Sequence, residues 1–309
     1  MSVEVTRLAN GLTVASDPMP SVETASVGVW VDVGTRHEDA AINGVAHLLE
    51  HMAFKGTERR SAAAIAEEIE SVGGHLNAFT TREHTAYYAK VLAEDVPLAV
   101  DIVADILQHS TFDEAELARE RAVVLQEIGQ AADTPDDIIF DHFQETAFPG
   151  QAMGRPVLGS AGIVAELPRN TVADYMHRNY GASGMVLAAA GRVDHQALVR
   201  LAERAFADLA PGERHRSEVA RYSGGEFRET RDLEQVHVVL GFDGVSFHDR
   251  DQYAVSVFSA ALGGGMSSRL FQEVREKRGL VYSIYSFGAF YFNDGTPNLQ
   301  WEEQSLFVP

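Results

Sequence analysis

Cysteine is absent from all 309 residues of the chain. Disulfides and thiolate metal sites are therefore excluded, and any metal bound here is held by histidine and carboxylate. Basic residues are scarce beside acidic ones: 25 Lys and Arg against 45 Asp and Glu give a net charge of −20. That balance argues against nucleic acid as a partner, because phosphate binding needs a basic footprint. No apolar run approaches the ~20 residues that span a bilayer, so no membrane span is expected. The opening "MSVEVTRLANGLTVASDPMP" lacks the basic start and apolar core of a signal peptide. It reads instead as a strand, a Gly-containing turn and a second strand. A cytoplasmic, reducing location is the expectation from these absences. The acidic excess has two readings that charge alone does not separate: a solubilising surface, or an acidic cavity that draws basic peptides by long-range steering.

Apolar periodicity supplies the organisation. "ETASVGVWVDVG" (23–34) has the β-branched and aromatic content of a strand. Residues 41–56 read as a buried helix, with Val45, Leu48, Leu49 and Met52 at helical spacing. The segment 61–74 is an amphipathic helix with Ser61 as N-cap, Ile65, Ile69 and Val72 as its stripe, and Gly73-Gly74 as its stop. Residues 75–92 read as two strands around a polar turn, and 94–108 and 113–131 as helices, the second opening on acids that suit the helix dipole. A buried strand at 184–191 and a helix at 194–209 capped by Asp194 follow. Periodicity then lapses over 210–226, the best linker candidate. Across it, residues 235–265 repeat the pattern of residues 24–56: strand, polar turn, apolar helix ending in Gly. Ser256, Ser259 and Ala260 stand roughly where the first copy has His47, Glu50 and His51, so chemistry is expected in the first half alone.

That first copy carries "VAHLLEHMAFKGT" (45–57), which contains H-x-x-E-H. Residues four apart on a helix share a face, so His47 and His51 can reach one point. Neutral imidazoles bind zinc at ~2.0–2.1 Å, and catalytic zinc takes three protein ligands with one position left for water. Glu50 sits beside that point as a candidate general base for a water whose pKa zinc lowers toward ~7. The order is that of the inverted zinc-peptidase signature. Such a string arises by chance in about a few per cent of chains, so alone it is suggestive, and two core histidines bonded to backbone carbonyls would explain it equally. The helix at 113–131 offers a third ligand. Glu120 and Glu127 lie seven apart, two turns along one face, and either can complete a His-His-Glu set. Glu116 reads as part of a solvated acidic face. Around Glu127, Val123, Val124, Leu125 and Ile128 suggest a buried environment in which a carboxylate needs a partner such as a metal.

At this point the chain resembles the pitrilysin-type inverted zinc peptidases, in particular the branch containing the β subunit of mitochondrial processing peptidase and its bacterial relatives. The resemblance rests on "GVAHLLEHMAFKGT", "GGHLNAFTTREHTAYYAKVL", "ERAVVLQEI" and "GGGMSSRLFQEVREKRGLVYSIYSF", in that order, and covers residues 1 to about 290. It implies zinc held by His47, His51 and Glu127, the glutamate falling at the family's spacing from the second histidine, with Glu50 as general base. Glu120 corresponds to a second acid that orients a ligand histidine or the site. "LNAF" resembles the edge strand to which a substrate peptide adds, with Asn77 and Ala78 beside the scissile bond. "REKRGLVY" resembles an Arg/Tyr pair, here Arg275 and Tyr282, that reaches the substrate and the developing oxyanion. Without the family, Arg275, Lys277 and Arg278 would read as a solvated basic helix end. "GGGMSSR" lacks the Lys-Ser/Thr that closes a phosphate-binding loop and resembles the family's glycine-rich segment.

The expectation is therefore an α+β protein of two homologous αβ domains, each a mixed sheet with helices, the second incomplete. Residues 1–209 form the catalytic zinc-binding domain, 210–226 the linker and 227–309 a non-catalytic domain with an atypical tail from about 291. A half-built second domain would leave its strand edges and apolar faces uncovered. The expected activity is that of a zinc metalloendopeptidase acting on basic, presequence-like or partly unfolded peptides. The chain acts alone, as a homodimer or paired with a second family subunit, or else it is a non-catalytic subunit of the same lineage.

Overall fold

The computed structural model describes residues 3–213 and 218–292. Its centre is a six-stranded mixed sheet formed by β1 (Glu4–Arg7), β2 (Thr13–Pro18), β3 (Thr24–Val31), β4 (His75–Thr80), β5 (Thr85–Leu92) and β6 (Met185–Gly191). The strand order is β1-β2-β6-β3-β5-β4. All neighbours are antiparallel except β2 and β6, which pair in parallel from Thr13 opposite Val186 to Pro18 opposite Gly191. The late strand β6 thus slots between two strands from the start of the chain, and β4 is left at one edge.

Helices supply the second layer: α1 (Val45–Ala53), α2 (Ala62–Ser71), α3 (Val96–Gln108), α4 (Glu114–Asp133), α5 (Pro135–Ala147), α6 (Ala161–Glu166), α7 (Arg169–Asn179) and α8 (His195–Ala205), with α9 (Gln252–Gly263) further on. Strand alternation divides the sheet's two faces. Ala25, Val27, Val29 and Val31 of β3 join the main core with Leu48, Leu49 and Met52 of α1 and Ile102 and Ile106 of α3. Ala15, Val186 and Ala188 form a smaller cluster against Trp30 on the other side. Leu48, Leu49 and Met52 are fully buried, and at ~1.5–3 kcal/mol for each such side chain they fix α1 firmly to the sheet.

The helix ends follow the expected chemistry. Ser61 Oγ accepts from the Ala64 amide, Asp113 from those of Ala115 and Glu116, and Asp194 from that of Ala197. The helix expected over 41–56 is shorter than its apolar pattern, because residues 40–42 form a separate 3-10 turn and Gly44 starts α1 at φ +100°. A Cβ at Gly44 would lie 2.9 Å from the carbonyl oxygen of Leu158, so both backbone angle and close approach require glycine.

The linker segment carries no helix or strand among its described residues, yet it is tied to the first half. The Ala182 amide donates to Ala210 O, and the Ser223 amide to Ala147 O. The strand expected at the start of 235–265 does not form, whereas the helix does, as α9. A strand exists only in a ladder, and among the described residues no partner strand lies beside 235–242. Val236, Val238, Leu240 and Phe242 keep the alternation of a sheet face but stand 89%, 78%, 78% and 78% exposed. On α9, Tyr253, Val257 and Phe258 are exposed as well. The tail from 293 onward lies outside the described residues. Among those described, no helix is long and apolar enough to cross a membrane.

Candidate metal centre

Helices α1 and α4 pack against each other and bring the centre together. The start of α1 is held by Glu38, a buried carboxylate that accepts from Asn43 Nδ2 (2.8 Å), the Gly44 amide (2.9 Å) and the Ala46 amide (2.8 Å). Burial pushes the Glu38 carboxyl up to about 7 against the opposing pull of these donors. One turn further, His47 and His51 stack edge to face with ring centroids 4.7 Å apart.

On α4 the buried stripe is Leu117, Glu120 and Val124. Continuing that face by three residues reaches Glu127, whose Oε2 lies 3.8 Å from His47 Nε2 and 3.6 Å from His51 Nε2. The three ligand atoms fall within 4.8 Å of one another. Donors at zinc–ligand distance in a tetrahedral set are about 3.3 Å apart, so a modest contraction would bring this trio around an ion. The donor set is two histidines and a carboxylate, one of the combinations known for catalytic zinc.

The protonation states fit as well. Burial, then the charge of His51, lowers the His47 pKa to about 4, which keeps that imidazole neutral as a ligand must be. His51 Nδ1 lies 3.0 Å from Glu120 Oε2, an arrangement that fixes the proton on Nδ1 and leaves Nε2 facing Glu127. Glu120 is itself anchored by Lys55 Nζ at 2.8 Å. His47 Nδ1 is buried with no hydrogen-bond partner among the described residues, so there His47 is oriented by packing where His51 is oriented by a carboxylate.

Glu50 projects from the same helix toward the sheet. Its Oε2 accepts from the Thr80 hydroxyl at 2.6 Å. Burial pushes the Glu50 carboxyl above its ordinary value, the Thr80 bond and His51 pull it down, and the Glu127 charge pushes it up again. Below it lies a buried pair, Tyr87 and Tyr180, with hydroxyls 3.1 Å apart and both pKa values driven upward by burial.

The five residues His47, Glu50, His51, Glu120 and Glu127 therefore come together. The reason offered for Glu127 from its apolar flanks needs correction. Its side chain is 38% exposed and Val123 is 39% exposed, because α4 buries one narrow stripe and leaves its other faces to solvent. Glu120, at 8%, is the buried acid of the pair, and Glu116 pairs with Arg119 near the surface. Asn77 and Ala78 lie on edge strand β4 with opposite orientations: Asn77 is exposed, and Ala78 is buried toward α1. Arg275 and Tyr282 meet in the second half, the guanidinium carbon 5.6 Å from the tyrosine ring centroid and 4.5 Å from that of Phe271. They line a cavity of about 340 Å³ with Gly263–Met266, and none of the residues of the His/Glu centre lines it.

Thr80, Lys55 and Glu38 were not singled out from the sequence. Lys55 lies four residues after His51, on the same helical face extended, and Glu38 is an acid just ahead of a helix start. Thr80 follows Leu76 and Ala78 at the strand period, which puts it on the inward face. These spacings were available signals.

The chain is similar to known proteins in both sequence and fold. The model of the insulinase family, peptidase family M16, matches residues 13–161, and that of the peptidase M16 inactive domain matches residues 166–300. Strand β6, inside the second match, is nonetheless hydrogen-bonded into the first sheet. A protein of Rickettsia bellii described as an uncharacterized zinc protease is 43% identical over 292 residues, covering 94% of this chain and 71% of its own length. The mitochondrial-processing peptidase subunit beta of Lentinula edodes is 40% identical over 309 residues, covering 94% of this chain and 66% of its own. The chain thus spans about two thirds of these relatives. A protease from Helicobacter pylori of known structure superposes with a TM-score of 0.80 at 22% identity, covering 96% of this chain and 76% of that one, a likeness of fold.

Proposed function

The chain belongs to peptidase family M16, and from that premise we propose that it is a zinc-dependent metalloendopeptidase whose centre is His47, His51 and Glu127 with Glu50 as general base. The observation that carries this reading is the convergence of three ligand atoms within 4.8 Å beside a carboxylate that is bound to none of them. Zinc, when held there, acidifies water and polarises a peptide carbonyl. Glu50 takes the proton from the attacking water and delivers it to the leaving amine, and its raised pKa suits a group that must do both near neutrality. Glu120 keeps His51 in the ligating tautomer. The outer edge of β4 offers main-chain groups to an extended peptide, which tolerates many side-chain sequences. Arg275 and Tyr282 are suited to bind substrate and the oxyanion when the second half lies over the centre. The −20 charge supports basic, presequence-like substrates and a cytoplasmic setting agrees with the absence of cysteine.

A second reading, a partner-dependent or non-catalytic subunit, draws on the uncovered second half and on the separation of the Arg275/Tyr282 cavity from the His/Glu centre. Cleavage of a quenched, Arg-rich peptide by the purified chain and its Glu50→Gln variant decides between them. Chelator-sensitive turnover lost in the variant supports the peptidase. No turnover by the wild-type chain, at any zinc loading, favours the subunit.

A further inference from the structure

Edge strand β4 does more than border the centre. Its alternation sends His75, Asn77 and Phe79 outward, where they are exposed, and Leu76, Ala78 and Thr80 inward toward α1. Thr80 is the last inward residue, and its hydroxyl donates to Glu50 at 2.6 Å, a length typical of a hydroxyl bonded to an ionised carboxylate. The platform beneath that bond is stiff. Thr85, opposite Thr80 in the ladder, is buried and donates to Val33 O at 3.0 Å. In the turn between β4 and β5, Thr81 Oγ1 donates to His84 O and accepts from the Glu83 and His84 amides. The tip is pinned again by Glu83, which pairs with Arg36 at 2.6 Å in a buried ion pair and accepts from the Phe292 amide.

We propose that Thr80 is a positioning residue that fastens the carboxylate of Glu50 to the strand expected to receive the peptide. This rests on the peptidase reading above. On that reading the base is on helix α1 and the scissile bond is aligned by strand β4, so their relative placement depends on two elements. The Thr80 hydroxyl joins them directly, and a peptide added to β4 meets a base already referenced to its own strand. Misplacement of a catalytic group by about 1 Å can cost a hundredfold in rate, which is the scale on which such a tether acts. Because the hydroxyl touches Glu50 rather than substrate, its loss should slow turnover while leaving peptide affinity intact.

The test compares Thr80→Val, which keeps the shape and removes the donor, with Thr80→Ser, which keeps the donor, and with Thr80→Ala as a second donor-free variant free of β-branching. Each is measured for zinc content, for steady-state cleavage of the Arg-rich peptide, and for binding of a non-cleavable reduced-bond analogue by fluorescence anisotropy. The expected result is a kcat lower by about ten- to a hundredfold in Thr80→Val and Thr80→Ala, the loss of one hydrogen bond to a charged group. Thr80→Ser should return to within about threefold of wild type, with zinc content unchanged and analogue Kd within about twofold throughout. An unchanged kcat in the donor-free variants overturns the proposal, as does a Thr80→Ser variant as slow as Thr80→Val, or a loss that follows zinc content or peptide affinity. A wild-type chain without chelator-sensitive turnover fails differently: it overturns the peptidase reading, and the positioning role with it.

Discussion

Replacing Glu38 by glutamine should change how stability depends on pH more than it changes the fold. The carboxylate is 4% exposed and gathers three donors, yet burial outweighs them and raises its pKa from 4.5 to about 7. A carboxyl with a raised pKa holds its proton longer in the folded state than in the unfolded chain. Its contribution is therefore fully present below about pH 4.5 and is lost as pH rises to about 7, where the folded state ionises too. At 1.36 kcal/mol per pH unit that interval corresponds to about 3 kcal/mol. Glutamine has no such titration. Its single carbonyl oxygen cannot serve all three donors, which costs about 1–3 kcal/mol at any pH. The wild-type advantage over Glu38→Gln should be largest at the acid end, below about pH 4.5, and shrink by about 2.5 kcal/mol between pH 5 and pH 8. Urea unfolding at pH 5, 6, 7 and 8, followed by tryptophan fluorescence and extrapolated linearly, measures that difference directly. Groups common to both proteins cancel. Parallel profiles would refute the reasoning, and an advantage that grows with pH would mean that the donors at the start of α1 outweigh desolvation.

Three further outcomes are expected. Glu120→Gln removes the carboxylate that orients His51 and should weaken zinc affinity about ten- to a hundredfold, read by competition with a chromogenic chelator. Glu83→Ala removes the carboxylate that pairs with Arg36 and accepts from the Phe292 amide, and should be seen as a lower urea midpoint. If an acidic surface steers basic peptides, raising salt from low to physiological strength should lower kcat/KM for an Arg-rich peptide and leave that for a neutral peptide unchanged, since the Debye length falls to about 8 Å.

The parts of the fold visible in the sequence are those governed by neighbours along the chain. His47, Glu50 and His51 share one short helix, so their spacing alone placed them together, and Ser61 and Asp194 announced their helices by local capping chemistry. Glu120 and Glu127 show where local reading stops. Both lie on one face of α4, and the apolar flanks pointed to Glu127 as a buried acid, but burial belongs to Glu120. The resemblance, through its spacing, selected Glu127, whose Oε2 lies 3.8 Å from His47 Nε2 and 3.6 Å from His51 Nε2. Strand period puts Thr80 on the inward face, but its bond to Glu50 depends on how a hairpin packs across a helix thirty residues away, a partner that periodicity does not name. The segment 236–242 is the opposite case: its alternation is plain, but the ladder that would make it a strand is not among the described residues.

The seat of β6 between β2 and β3 has a consequence for birth at the ribosome. β3 is complete at residue 31, while the strand that fills the gap beside it begins at residue 185. At about 5–20 residues per second, translation leaves that slot open for roughly ten to thirty seconds. During the wait His47, His51 and Glu127 have all emerged, and β2 and β3 each have an earlier partner, β1 and β5, while the edges that β6 joins remain open. The nascent chain therefore carries its three candidate metal donors before the two halves of the central sheet are joined.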